Sequence, residues 1–185
     1  MTPIVWATGG AIAGILVKLA RARAPGAPGA SLAPWRQAIL DRASWHVQQG
    51  TLYEWGGGHG GGTYGLDCSG LVIDACKAAG FVMQWNSGSM WELLPHVASP
   101  QPADLCLYGS GGKATHVTIV EKLTPDGLVA IIGENGGGSN TTTPATAKAQ
   151  GAFAKRVPTH LYRSGFLGFC SLVDIAEGRV SAKMF

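Results

Sequence analysis

Charge is scarce in this sequence: Asp, Glu, Lys and Arg make up 14% of its 185 residues. The net charge is only +3, and the basic residues form no stripe of the kind that tracks a phosphate backbone. Nucleic acid is therefore not an expected partner, although a mild positive charge suits approach to an anionic surface. Paired cysteines are missing too. Cys68, Cys76, Cys106 and Cys170 are scattered without a C-x-x-C pair, which argues against zinc, and no cofactor is implied. No G-K-[ST] follows any glycine run, so there is no P-loop. The GxGxxG within Gly56–Gly62 lacks the acidic residue and strand–loop–helix setting of a dinucleotide site, and reads as a flexible loop. Glycine is what abounds, with 28 residues, as fits one compact, loop-rich domain of this length.

Asp67-Cys68-Ser69-Gly70-Leu71-Val72 is the most informative stretch. It places a cysteine where the glycine-rich loop ends and an apolar helical pattern begins, through Leu71, Val72, Ala75, Cys76 and Ala79. A thiol in a first helical turn feels unpaired N–H groups and the positive end of the macrodipole. Both favour thiolate, the nucleophilic form. Asp, Ser and Gly are poor core formers, so Cys68 reads as a nucleophile rather than a small buried hydrophobe. Cys76 and Cys106, set in apolar patterns, read as buried free thiols.

A cysteine nucleophile needs a base. His116 stands at the head of the β-branched run Thr115–Val120, which has the composition of a strand. Ala103–Tyr108 reads as the preceding strand, with Gly109-Ser110-Gly111-Gly112 as a wide hairpin loop. A histidine at a strand mouth can face a helix start across a cleft, which makes His116 the candidate general base.

Tyr53-Glu54-Trp55-Gly56-Gly57, the Leu66–Val72 stretch, Pro102-Ala103-Asp104-Leu105 and His116-Val117-Thr118-Ile119-Val120 together resemble the NlpC-type cell-wall peptidases. These are papain-like cysteine endopeptidases that cut the peptide stems of bacterial peptidoglycan. The resemblance runs from roughly Ser44 to Asp174, and Gly133–Ser139 with Tyr162-Arg163 looks most like members from phages and prophages. It implies Cys68 as nucleophile, His116 as base, and Tyr53 facing the oxyanion beside the Cys68 amide. It also implies Asp67 and Ser69 lining the substrate cleft, roles compatible with helix capping. Trp55 lies close enough to Tyr53 to line the same cleft, although a tryptophan is more often core.

The third catalytic position departs from the family pattern. A histidine usually follows in the next strand, and here the matching position is Gly133 within Gly127–Asn135. Asn135 and Glu134 are the nearest groups able to orient the imidazole. Strand alternation puts Asn135 on the face of Gly133 and Glu134 on the opposite face, which favours Asn135 unless a bulge reverses them.

Pro3–Val17 is apolar or small, followed by Lys18, Arg21 and Arg23. The charge order is wrong for a signal peptide, and the run is shorter than a typical spanning helix. Residues 1–23 are therefore read as a membrane-inserting helix, as a segment packed within an assembly such as a phage tail, or as a helix against the domain. Residues 24–30, rich in Pro and Gly, read as a linker, and the catalytic domain as 31–185. Pro34 starts a helix with an apolar face at Trp35, Ala38, Ile39 and Ala43, extended imperfectly by Trp45 and ended by Gly50. Ser89 and Glu92 match a capping box for a short helix stopped by Pro95. His59 is expected to be exposed, and His46, His96 and His160 to lie on the surface or a helix face.

The expected fold is α+β, a papain-like core with N-terminal helices on an antiparallel sheet and the nucleophile at a helix start. The expected activity is hydrolysis of peptidoglycan stem amides by a phage tail or cell-envelope enzyme. The alternatives are a CHAP-type amidase, an acyltransferase on the same scaffold, and a structural virion component with a retained or decayed site.

Overall fold

A computed structural model describes residues 31–127 and 129–179; the expected attachment segment and linker lie outside them. Helix α1 (Pro34–Gln49) carries proline in its first turn, where a fixed φ costs nothing and no N–H is missed. Gly50 ends it at φ 60°, its N–H reaching the carbonyls of His46 and Val47. The buried face is Arg36, Ile39, Leu40, Ala43 and His46. Trp45 lies about 200° around the helix from Ala43 and is 42% exposed, so it does not extend that face.

The two polar members of the buried face tie the helix down. Arg36 Nη1 donates to Pro102 O and, at 2.8 Å, to Asp104 Oδ1. His46 pairs through Nε2 with Asp74 Oδ2 at 2.8 Å and through Nδ1 with Thr51 Oγ1 at 2.9 Å. His46 therefore sits on the helix's inner face, as a bridge to the next helix.

The remaining elements are β1 (Leu52–Tyr53), β2 (Gly65–Leu66), α2 (Cys68–Ala78), α3 (Ser87–Leu93), β3 (His96–Val97) and β4 (Leu105–Ser110). They continue with β5 (Lys113–Leu123), β6 (Val129–Asn135), α4 (Pro144–Gln150), β7 (Phe153–Val157), β8 (Phe166–Cys170) and α5 (Val173–Ala176). One sheet runs β2-β1-β7-β6-β5-β4-β8-β3. Every neighbour pair is antiparallel except β1 with β2. The α+β expectation holds, with the short strands β1 and β2 from the first half added at one edge.

Alternation along the central strands gives the sheet two buried faces. Leu105, Leu107, Val117, Ile119 and Ile132 pack with Ile39, Leu71 and Val72 of the helices. Cys106, Tyr108, Val120, Ile131 and Phe169 pack on the other side. His116 shares parity with Val120, and Asn135 with Ile131, so both belong to the second face.

Two local expectations are corrected. The β4–β5 connection is tight: Ser110 pairs with Lys113, leaving Gly111 and Gly112 at φ 57° and 74°. Two consecutive positive φ values suit a twisted two-residue hairpin, and a bulge at Tyr108/Gly109 carries the strand to Ser110. The cap of α3 is Asn86, whose Oδ1 accepts from Ser89 N at 2.9 Å, so the helix begins before the Ser89–Glu92 box. Leu94, extended at ψ 149° before Pro95, ends it as expected.

Candidate active site

Asp67 builds the start of α2. Its Oδ1 accepts from Gly70 N at 2.7 Å and from Ser69 Oγ at 3.0 Å, satisfying donors the helix leaves open. The other oxygen accepts from Gly56 N at 3.2 Å, which draws the glycine-rich loop onto the helix. That approach requires glycine: a Cβ on Gly70 would stand 2.0 Å from Gly57 O. Glu54 gathers the far end of the loop, its buried carboxylate accepting from the N–H groups of Thr63, Tyr64 and Gly65. Burial alone would raise the Glu54 pKa, but those backbone donors outweigh it and hold the carboxyl low.

His59, expected to be exposed, is instead drawn in. Its Nε2 lies 3.1 Å from Asp67 Oδ1 and 3.0 Å from Ser69 Oγ, and the side chain is 26% exposed. The hydrogen bond to Asp67 raises the His59 pKa against the opposing effect of burial. No residue next to His59 in sequence announces this contact. It follows from the loop being pulled onto α2.

His116 is held by two groups. Its Nε2 lies 3.0 Å from Asn135 Oδ1 and 3.0 Å from Tyr162 Oη. Tyr162 donates to the same Asn135 oxygen at 2.5 Å, and Asn135 Nδ2 donates to Gly133 O at 3.1 Å. The bond to Gly133 fixes the amide, so that its oxygen faces the imidazole. Strands β6 and β7 stay in register through Gly133–Lys155, Glu134–Ala154 and Asn135–Phe153, so no bulge exchanges the two faces. Glu134 accordingly points away from His116.

Tyr162 was not foreseen from sequence. Strands β7 and β8 follow each other in the chain but are separated by β6, β5 and β4 in the sheet. Residues 158–165 must therefore cross the second face, and this strap brings Tyr162 to His116. Tyr108 Oη donates to His160 O at 2.8 Å, and Gly109 N donates to Gly165 O at 2.7 Å, pinning both ends.

Burial dominates the electrostatics. It pushes the Cys68 thiol up to about 11, with the Asp67 charge adding, against donation from the Val117 and Ser69 N–H groups and the Arg163 charge. It pushes His116 down to about 3, helped by Arg163 and opposed by Asn135. The thiolate expected from the helix start is thus not the resting form, because desolvation outweighs the dipole and the backbone donors. Thiol and imidazole are both neutral near pH 7.

Tyr53 is buried, and its phenol is pushed well above the usual range by burial and by the Cys68 and Asp67 charges. Its ring lies on the backbone of Gly137, where a Cβ would fall 2.2 Å from the ring. Trp55 is 55% exposed, so it is no core residue. Glu134 is fully buried with neither carboxylate oxygen hydrogen-bonded, and burial raises its pKa to about 9 against the pull of Lys155. All four cysteines are free and buried.

A sheet backed by helices, with a cysteine opening one helix and a histidine on a central strand, is a papain-like architecture. Residues 50–150 match the NlpC/P60 family, and the chain belongs to it. Peptidoglycan endopeptidase RipA of Mycobacterium tuberculosis is 38% identical over 84 residues, covering 39% of this chain and 18% of RipA. Peptidoglycan endopeptidase RipB of the same species is also 38% identical over 84 residues, 34% of its length. The chain thus spans only a minor part of these curated relatives.

Among solved structures, the M. tuberculosis peptidoglycan hydrolase RipB superposes with TM-score 0.54 at 26% identity, over 74% of this chain and 63% of that one. RipD of the same species, described as a non-catalytic NlpC/p60 domain protein adapted to peptidoglycan binding, gives TM-score 0.52 at 18% identity over 75% and 96%. The likeness to RipD shows the fold alone.

Proposed function

We propose that this chain is a cysteine peptidase that hydrolyses amide bonds in the stem peptides of bacterial peptidoglycan. The observation carrying the reading is the fixed imidazole: both polar contacts of His116 fall on Nε2, which leaves Nδ1 to work on the thiol proton. Membership of the family adds the substrate class, through relatives named as peptidoglycan endopeptidases.

In this reading Cys68 Sγ attacks the scissile carbonyl as its proton passes to His116 Nδ1. The imidazolium so formed is stabilised by Asn135 Oδ1. The oxyanion lies between the Cys68 backbone N–H and the Tyr53 hydroxyl, a donor that stays protonated because burial holds its pKa high. His116 then gives its proton to the leaving amine. Water attacks the thioester, returns a proton to His116, and releases the acid with the thiol restored. Asp67, Ser69 and Trp55 line the approach to Cys68.

We assign the enzyme to a phage tail or to the bacterial envelope, with residues 1–23 as its attachment to tail proteins or membrane. The support is the apolar run followed by basic residues, and the likeness of Gly133–Ser139 and Tyr162-Arg163 to phage and prophage members. The decisive experiment is mass spectrometry of purified peptidoglycan fragments after digestion with the parent chain and Cys68→Ala. Stem-peptide cleavage by the parent and none by the variant is the expected result. Release of intact stems would mean an amidase, and no products would leave a binding or structural role.

A further inference from the structure

Arg163 stands one residue beyond Tyr162 on the strap that crosses the sheet. Its position is set on both sides, by the Tyr162 contacts with Asn135 and His116 and by the Gly109–Gly165 hydrogen bond. The guanidinium lies 5.6 Å from the centre of the Tyr108 ring, and Tyr108 pairs with His116 across the β4–β5 ladder. The residue is exposed, and among the described residues it belongs to no ion pair.

Asp67 is engaged with His59, and Glu134 is buried with its pKa raised, so neither neutralises the guanidinium. The Arg163 charge nonetheless reaches the whole centre, lowering the pKa of Cys68, Tyr53, His116 and Tyr162. A pinned, solvent-facing guanidinium without a carboxylate of its own is a ready partner for one arriving on a ligand.

We propose that Arg163 determines specificity by pairing with a substrate carboxylate beside the scissile amide, so that the site selects stem peptides with free carboxylates over their carboxamide forms. This rests on the peptidase reading above. Stem peptides present both chemistries, since their side carboxyl groups occur free or amidated. A guanidinium fork binds the free acid in two parallel hydrogen bonds and gains no charge pairing from the amide.

The test uses synthetic stem tetrapeptides with free carboxylates and the same peptides with each carboxylate in turn made a carboxamide. Cleavage by the full chain, Arg163→Gln and Arg163→Lys is followed by mass spectrometry. The parent should favour one free acid by about tenfold in kcat/KM, mostly through KM, and less so at high salt. Arg163→Gln should bring the two forms within about twofold by losing rate on the acid alone, and Arg163→Lys should restore part of the preference. Equal cleavage of both forms by the parent, or an unchanged ratio in Arg163→Gln, overturns the assignment while leaving the peptidase intact. Cleavage of neither peptide by the parent overturns the peptidase reading and this assignment with it.

Discussion

Asn135 and Tyr162 share one oxygen: the phenol donates to Asn135 Oδ1 at 2.5 Å while His116 Nε2 stands 3.0 Å from both residues. A charged imidazole therefore meets an acceptor that is already oriented, and the phenol oxygen adds a second. In the proposed mechanism these two neutral side chains take the role of the strand histidine that the family pattern has and this chain lacks.

If Asn135 stabilises and aligns the imidazolium, Asn135→Ala should lower kcat by a factor on the order of tens to hundreds. Tyr162→Phe keeps the ring and removes only the hydroxyl, so its loss should be about three- to tenfold. Steady-state kinetics on a soluble stem peptide ranks them. Equal, negligible losses would remove the clamp from the mechanism.

Neutral Cys68 and His116 make a second expectation. An ion pair poised for attack would alkylate rapidly with iodoacetamide below pH 7. Here burial holds the thiol up near 11 and His116 down near 3, so alkylation should be slow at neutral pH and rise steadily into the alkaline range. His116→Ala should barely alter it at pH 7. Fast, pH-independent labelling that collapses in His116→Ala would establish a preformed thiolate. Cys68→Ala and Cys68→Ser should abolish hydrolysis in either case, without loss of fold.

What was legible in the sequence was mainly what local chemistry decides. Asp67 opens α2 because a short acceptor side chain precedes an apolar helical face, and Gly50 ends α1 because only glycine adopts that left-handed turn cheaply. Asn135 over Glu134 followed from period-two alternation alone. The misses were tertiary. The place of His59 depends on how Glu54 and Asp67 fold the glycine loop, through contacts between residues 8 to 11 positions apart. Tyr162 depends on a strand order in which consecutive strands sit on opposite sides of three others.

A chain beginning at Ser31 should fold by itself, because Ser31–Phe185 forms a compact unit of its own. It should be more soluble than the full chain and keep its activity on isolated peptidoglycan, while failing to join a membrane or virion. Circular dichroism and a sedimentation assay decide it. Unfolding of the shortened chain would make residues 1–30 part of the core.

Glu134 weakens the fold as pH rises. Its carboxyl stays protonated to about 9 when folded, whereas in the unfolded chain it ionises near the ordinary glutamate value. Between these limits the folded state binds more protons, so stability falls with increasing pH. Glu134→Gln is neutral at every pH and should melt several degrees higher than the parent at pH 7.5, with the gain shrinking toward pH 4.5. A variant that melts lower at both values would show that the carboxyl has a favourable role.

The His59–Asp67 contact should act in a narrower window. The pKa of His59 is raised in the fold, so its contribution is complete below the unfolded histidine value and is lost as pH climbs through the raised one. The pKa of Asp67 is lowered: although burial opposes ionisation, His59 and the Gly70 and Ser69 donors outweigh it. Its contribution is present above the unfolded aspartate value and is lost as pH falls through the lowered one. The pair therefore pins the glycine loop in weakly acidic solution and releases it in mildly alkaline solution. In His59→Gln the melting temperature should drop most near pH 5.5 and least near pH 8.5, and loop amides from Gly56 to Gly62 should exchange faster at the lower pH. A deficit that is constant across this range would mean that His59 holds the loop by packing, with its charge playing no part.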